Sequence, residues 1–567
     1  MSTSISELEA RRELLKHQLS GLGDLRPGSL VERYRKCGKP NCHCAQPDDA
    51  GHGPSWSLTH DVKGTTMTKV IPEALVPQTR EQIAEYQRLR GLTRDLVDVS
   101  EKICEARIGD RGAEAIQKKT SVAAQLARDV AVEVDALLGC GTSDGIDFEA
   151  IETAARRQVL ALAARAIEQR LNADTSDQAG PSLNCGCGQA ARYAGRRSKV
   201  FQSILGELKL DRACYHCPHC RGGFCPRDRH LGMDKTCFSP ATVRMIGTVG
   251  SMVSFQEGSQ LLRELAGIGI DASQVERGAE ALGEEIAADE RLHPEPWGEE
   301  PLPPTLYLGL DGTGIPMRAA ELAGRAGKQP DGSAKTREVK VCAVWSAEAR
   351  DSEGLPMRDE GSVSYSAAIE SAATPDTAEH RSAFAERVLR EVDRRRFCEA
   401  PRMVVVADGA PWIWNMTQDL LPGAIQIVDR FHVKQTLHRT AQSIFGSTEQ
   451  AKQWATARCA ELDEGKLSAI VRALRPHATD CHDAARCRLY IHRHRHRMRY
   501  PKFHRQGLCT SSGVLEAGCK VAIGTRLKRS GMHWTLDGAN SIIALRCCRL
   551  SGRFEDFWER RHQPIAA

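Results

Sequence analysis

The sequence predicts a multidomain α/β protein. Apolar strand-like runs become frequent only after residue 304, helical segments rich in Ala, Leu, Glu and Arg fill most of the chain before it, and two cysteine clusters interrupt those helices. At 567 residues the chain has room for roughly three to five domains. Its 41% hydrophobic and 27% charged residues are ordinary for a globular protein. The net charge of +5 says little by itself. Its distribution says more: residues 484–515 hold no Asp or Glu but contain Arg486, Arg488, Arg493, Arg495, Arg497, Arg499, Lys502 and Arg505. A patch of that kind usually meets phosphate.

In chain order, residues 1–112 read as a helical, cysteine-bearing module. Leu8, Leu14, Leu15 and Leu19 mark a first amphipathic helix, and alternation at 57–59 and 66–71 suggests a small hairpin. Residues 77–107 are expected as one long helix, paired with the first. An Ala-rich helical region and a polar linker occupy 113–180. A cysteine module follows at 181–235, then helices at 236–300. There, 254–268 and 274–286 around Gly269–Ser273 fit a helix-turn-helix or a plain helical hairpin. Prolines 294, 296, 301, 303 and 304 mark the boundary of the last domain, 301–567. Its strands are expected at 305–310, 338–345, 403–407 and 424–428, with a helix at 377–396 and a helical insertion at about 431–508.

Three acidic residues stand out in that domain. Asp311 and Asp408 each follow an apolar strand and precede a glycine, and Glu516 lies at the start of a helix. Two buried strands ending in Asp, then a helix bearing Glu, is how a ribonuclease H-like core gathers carboxylates around divalent metal. An Asp at the C-terminal end of a strand projects beyond the sheet, where ligands of open α/β sheets bind. Carboxylates suit Mg²⁺ or Mn²⁺, and paired ions serve phosphoryl transfer.

The blocks DGTGIPM (311–317), TREVK (336–340), ADGAPWIWN (407–415), IVDRFH (427–432), SSGVLEAGCK (511–520), RLKRSGMHW (526–534) and LSGRFEDFW (550–558) resemble, in order, those of the Kra family of bacterial insertion-sequence transposases. These are DDE enzymes akin to the Mutator-like group. The resemblance covers about 181–567. It implies a ribonuclease H-like catalytic core with an all-helical insertion, preceded by a zinc ribbon and helical DNA-binding regions, and a triad of Asp311, Asp408 and Glu516. It also implies that His432, in Asp429-Arg430-Phe431-His432, lies near the active site, where it would contact the scissile phosphate; the same four residues also read as a helix N-cap by Asp429.

Cys185-Gly-Cys187 and Cys217-Pro-His-Cys220 flank strand-like sequence, as a zinc ribbon of four thiolates requires. The first pair is C-x-C rather than C-x₂-C, so Cys214, His216, His219 or Cys225 could substitute as ligands. Near the N-terminus, Cys37, Cys42, Cys44 and His52 would make a smaller zinc site, in a segment that resembles an uncharacterised module found with transposases.

The run from Ile491 to Arg499 leaves several guanidiniums exposed in any geometry, with histidines adding charge below about pH 6.5. Arg493, Arg495, Arg497 and Arg499, extended by Lys520, Arg526, Lys528 and Arg529, are expected to grip DNA. Trp412 and Trp414 are expected in the core, while Trp534 reads equally as core or as a stacking platform for bases. The expected function is a DDE transposase cleaving and joining double-stranded DNA at terminal inverted repeats, as a dimer or larger homo-oligomer, since two ends must be synapsed. The rivals are a domesticated DNA-binding protein without catalysis and a structure-specific nuclease of the same fold. The charged start of the chain and the lack of a long apolar run lead to the expectation of a cytoplasmic, nucleoid-associated protein with no membrane partner.

Overall fold

The computed structural model describes residues 4–62, 65–138, 147–293, 301–327, 329, 332–352, 354–370, 380–511 and 513–562. In the helices Val76–Leu138 and Gly513–Gly518 several side chains, Glu516 among them, lie outside that description. The chain is a multidomain mixed α/β protein of two compact units, Met1–Gly141 and Thr142–Ala567.

In the first unit a helix, Ile5–Ser20, opens with a capping box between Ser4 and Glu7. An antiparallel sheet of β1 (Ser29–Arg35), β2 (His52–Val62) and β3 (Thr65–Ile71) follows. Leu58 and Ile71 bury against Val76 and Ile83 of the next helix. That helix runs unbroken from Val76 to Leu138, so the boundary expected at 112 falls inside it. The hairpin at 57–71 was expected; β1, which is exposed on both faces from Val31 to Arg35, was not.

The second unit begins with the helix Phe148–Ala173 and a four-stranded antiparallel sheet. Its order is β4 (Ser182–Asn184), β5 (Ala190–Ser203), β6 (Gly206–His216), β7 (Gly223–Phe224). Three helices follow at Pro240–Met252, Phe255–Ala266 and Ala272–Leu292. Ser239, Ser254 and Asp271 cap their N-termini, and Gly267 takes the left-handed conformation that ends the middle one. The third helix buries Val275, Ala279, Leu282 and Ile286, and packs against the helix Leu536–Leu550. Its exposed face carries Glu284 and Glu285. The segment 254–286 was read as a helix-turn-helix or a plain helical hairpin, and its second helix packs into the core.

The central sheet has the order β12 (Ser364–Ala368), β9 (Thr336–Ser346), β8 (Thr305–Pro316), β13 (Arg402–Ala407), β14 (Ile425–Val428). A two-residue hairpin of β10 (Ala349–Arg350) and β11 (Pro356–Met357) sits outside it. β8 is antiparallel to β9 but parallel to β13, and β13 is parallel to β14. Strands buried on both faces explain the near-continuous runs of Val, Leu and Ala. β8 does not end before Asp311: its ladder with β9 continues to Pro316. Gly312 is not a turn but a clearance, since a Cβ there would strike the Glu338 carboxylate on the neighbouring strand. From Arg430 to Arg505 the chain forms helices at 430–445, 449–463, 467–474, 482–494 and 500–505.

Candidate active site and metal centres

Parallel pairing of β8 with β13 sets Leu310 opposite Ala407, so the next residues, Asp311 and Asp408, are neighbours at one point of the sheet. Gly312 N–H donates to Asp311 Oδ1 at 2.7 Å, and Ala410 N–H donates to Asp408 Oδ1 at 2.8 Å. Trp414 Nε1 donates to the Asp408 carbonyl at 2.8 Å, holding the strand-to-helix turn. Gly409 is required in that turn, because a Cβ would run into the Tyr490 ring. Burial, and then the charges of Asp311 and Glu338, push the Asp408 carboxyl above the usual carboxylate range; the Ala410 amide and His432 partly offset this. The two carboxylates therefore repel one another.

His432 lies on the first turn of the helix Arg430–Phe445. Its Nε2 is 3.7 Å from Oδ2 of Asp429, which is 1% exposed. Asp429 caps the helix by accepting from Phe431 N–H, and its own N–H donates to the Ala407 carbonyl at 2.8 Å. The two readings of this segment, a cap and a residue near the acidic pair, hold together.

Gly513–Gly518, the helix bearing Glu516, lies against β8 and β9 and runs directly into a π-helical segment, Cys519–Gly524. π-Helical turns inside helices recur at functional sites. Cys519 Sγ, three residues after Glu516, donates to Asp311 Oδ2 at 3.3 Å. The backbone that carries Glu516 is thus beside Asp311, although its side chain is outside the described residues. Nothing in the sequence singled out Cys519, Tyr490 or Glu338, because their approach depends on sheet register and helix docking.

Cys185, Cys187, Cys217 and Cys220 converge, with all four sulfurs within 4.8 Å of one another. Cys185–Cys220 and Cys187–Cys217 are each 3.6 Å apart. Zinc–sulfur bonds of about 2.3 Å in a tetrahedron separate sulfurs by about 3.8 Å, so the four can hold a metal such as zinc. The C-x-C spacing works because Cys185 and Cys187 sit in a turn closed by Gly188 N–H on the Cys185 carbonyl. Cys214, His216, His219 and Cys225 stay outside this group. The Cys220 amide lowers the Cys217 thiol to about 6, whereas burial helps raise that of Cys187 to about 11 even with the Gln189 amide opposing it.

Cys37, Cys42, Cys44 and His52 form a second group of the same compactness. Cys42 Sγ lies 2.9 Å from His52 Nε2, and Cys44 Sγ lies 3.5 Å from Cys37 Sγ. The Lys39 amide, with Cys44 and His52, lowers Cys37 to about 6. A thiol that ionises this readily is a competent ligand near neutral pH.

The basic set divides. Arg493, Arg495, Arg499 and Lys520 are exposed. Lys528 donates to Thr313 Oγ1, and Arg529 pairs with Glu257. Arg497 is buried, with its guanidinium 4.5 Å over the Trp414 ring and its Nε donating to Gln426 Oε1 at 2.7 Å. Arg526 is 0% exposed, lies between the Phe255 and Trp534 rings, and donates to the Gly250 carbonyl. Neither Arg497 nor Arg526 is free to touch DNA; a flat cation can stack on aromatic rings, and no composition count separates that use from phosphate binding. His494 is buried too, and burial pushes its pKa down to about 4, so it adds no charge near pH 6. Trp414 and Trp534 are buried in the core and Trp412 packs against it.

Residues 5–81 match a family described as a domain of unknown function (DUF6788). That match covers the first helix, the Cys37–His52 group and the three-stranded sheet. No curated protein matches the chain.

Proposed function

We propose that the protein is a DDE transposase of the Kra type, cleaving and rejoining double-stranded DNA on a ribonuclease H-like core with a helical insertion. The observation that carries the reading is the register of β8 against β13, which brings Asp311 and Asp408 together across ninety-odd residues of chain, with the Glu516 helix against the same strand. Asp311, Asp408 and Glu516 would hold Mg²⁺ or Mn²⁺, which when bound neutralises phosphate charge and activates an oxygen nucleophile.

The reaction is two displacements at phosphorus, with water and then a freed 3′-hydroxyl as nucleophile. His432, beside the buried Asp429, would donate a hydrogen bond to a phosphate oxygen. Tyr490 packs on Gly409, at the turn that carries Asp408. Arg493, Arg495, Arg499 and Lys520 supply exposed cations for the DNA backbone, with Lys528 and Arg529 reaching it only on leaving their present partners. The Cys185–Cys220 group is read as a zinc ribbon and the Cys37–His52 group as a second zinc site; both would stiffen modules that contact the element's ends. Two ends must be held at once, so the active form is a homo-oligomer.

The test is strand cleavage and joining on DNA carrying the sequences that flank the gene, with Mg²⁺ or Mn²⁺, comparing the intact protein with Glu516→Gln. End-specific cleavage that the substitution abolishes, with DNA binding retained, supports the reading. Binding without cleavage in both proteins indicates a DNA-binding protein without catalysis, and cleavage unaffected by Glu516→Gln removes that residue from the site.

A further inference from the structure

Among the cysteines of the second unit that belong to neither metal group and to no part of the acidic site, two lie side by side. Cys214 is on β6, and Cys225 follows β7 directly. The β6–β7 register pairs His216 with Gly223 and Tyr215 with Phe224. The next positions along that antiparallel ladder are Cys214 and Cys225, which makes them cross-strand neighbours. Their sulfurs are 2.6 Å apart, nearer than unbonded sulfurs rest. Directly opposed residues on antiparallel strands have the Cα and Cβ separations a disulfide needs.

Side chains alternate along β6, so Cys214 faces away from the buried row of Ala213, Tyr215 and Cys217 that leads to the four-thiol group. It shares its face with Arg212, whose guanidinium pairs with Asp228 of the helix Pro226–His230. Arg227 of that helix donates to the Leu171 carbonyl at 2.6 Å. The sulfur pair therefore sits where the strand, the short helix and the preceding helix are already tied together. It also closes a loop that contains both Cys217 and Cys220.

We infer that Cys214 and Cys225 form a reversible disulfide that clamps the Cys217–Cys220 knuckle when the chain meets a peroxide. The order of events follows from exposure: Cys214 is partly open to solvent and Cys225 is buried. The Cys214 thiolate attacks one peroxide oxygen, the O–O bond breaks, and a sulfenic acid and water are left. The Cys225 sulfur then attacks the Cys214 sulfur, the S–O bond breaks, and the departing hydroxide takes the Cys225 proton as water. One peroxide is reduced and two thiols are oxidised. A thiol reductant returns both.

The experiment uses the full, zinc-loaded chain treated with one equivalent of hydrogen peroxide, alkylated, digested without reduction and analysed by mass spectrometry, with released zinc measured in parallel. The expected result is a linked Cys214–Cys225 peptide as the dominant product, loss of two hydrogens from the intact mass, no zinc release, and full reversal by dithiothreitol. Cys214→Ser, treated in the same way, should lose the linked peptide and keep its zinc. The inference is overturned if both cysteines are recovered alkylated, if either is found only as sulfinic or sulfonic acid, or if the principal links join Cys185, Cys187, Cys217 or Cys220 with loss of zinc. Because the wild-type chain gives the primary readout, a poorly folding variant does not weaken the test.

Discussion

The acidic pair and the four-thiol group both gather like charges, yet they are supported in opposite ways. Asp311 and Asp408 rise from a sheet buried on both faces, within a core that includes Tyr307, Trp345, Val405 and Ile427. The thiols stand on a sheet whose buried cluster on that side is small: Ala191, Ala213, Tyr215 and Cys217. The central sheet has its shape before any ion arrives. The small sheet has too little apolar area to hold four thiolates together unaided. On the proposed reading, an ion at the first site would serve chemistry, and an ion at the second would serve structure.

The largest effect should come from breaking the second site. Cys217→Ser is expected to remove one bound zinc per chain and loosen residues 182–225, since metal supplies on the order of 10 kcal/mol of folding energy to such sites. Hydrogen exchange with zinc analysis checks this, and protection unchanged in 182–225 would break the contrast.

At the acidic pair the signs reverse. Asp408→Asn should lower cleavage at least about a thousandfold, about 4 kcal/mol in the barrier. The same substitution removes a half-buried, repelled charge, so the melting temperature should stay level or rise. A variant that loses both activity and stability would show that the carboxylate is structural.

The buried cations sharpen the point that the core stands by itself. Arg526→Ala should cost about 2–4 kcal/mol through the lost sandwich and the orphaned Gly250 carbonyl, while the salt dependence of DNA binding stays the same. Denaturant unfolding beside binding titrations separates the two effects.

His494 gives the pH dependence. Its folded pKa of about 4 lies below the unfolded value near 6.5, so the unfolded chain binds more protons between them. Stability is then full above about pH 6.5 and falls as pH drops toward 4, by at most roughly 3 kcal/mol. His494→Gln should flatten that part of the urea-midpoint profile; a slope that survives the substitution assigns it to other groups.

The smallest effect belongs to the exposed cations. Arg495→Ala should leave stability within about 0.5 kcal/mol and reduce the slope of log affinity against log salt by about 0.9. No change in that slope would remove Arg495 from the DNA path.

Much of this was legible in local sequence. Strand cores, the cap by Asp429 and the paired cysteines depend on residues within a few positions of one another, so local periodicity and spacing reveal them. The extent of β8 was misread because Asp-Gly-Thr-Gly is ordinarily turn chemistry; here the glycines clear Glu338 and Thr336 on the next strand. β12 was missed because Ser364-Tyr-Ser-Ala-Ala has no distinguishing pattern and is a strand only by pairing with β9. Arg497, Arg526 and His494 were read as surface because charge is visible in a sequence and burial is not.

The sequence alone determined which residues are able to ligate, cap or extend, because those are properties of side-chain chemistry and of neighbours along the chain. Only the tertiary structure decided which of them meet. Asp311 faces Asp408 through a parallel register, Cys519 reaches Asp311 through a docked π-helical turn, and Cys214 opposes Cys225 through a short ladder. Each of those meetings is fixed by hydrogen-bond register and core packing between distant segments, and these are terms that no local run of residues carries.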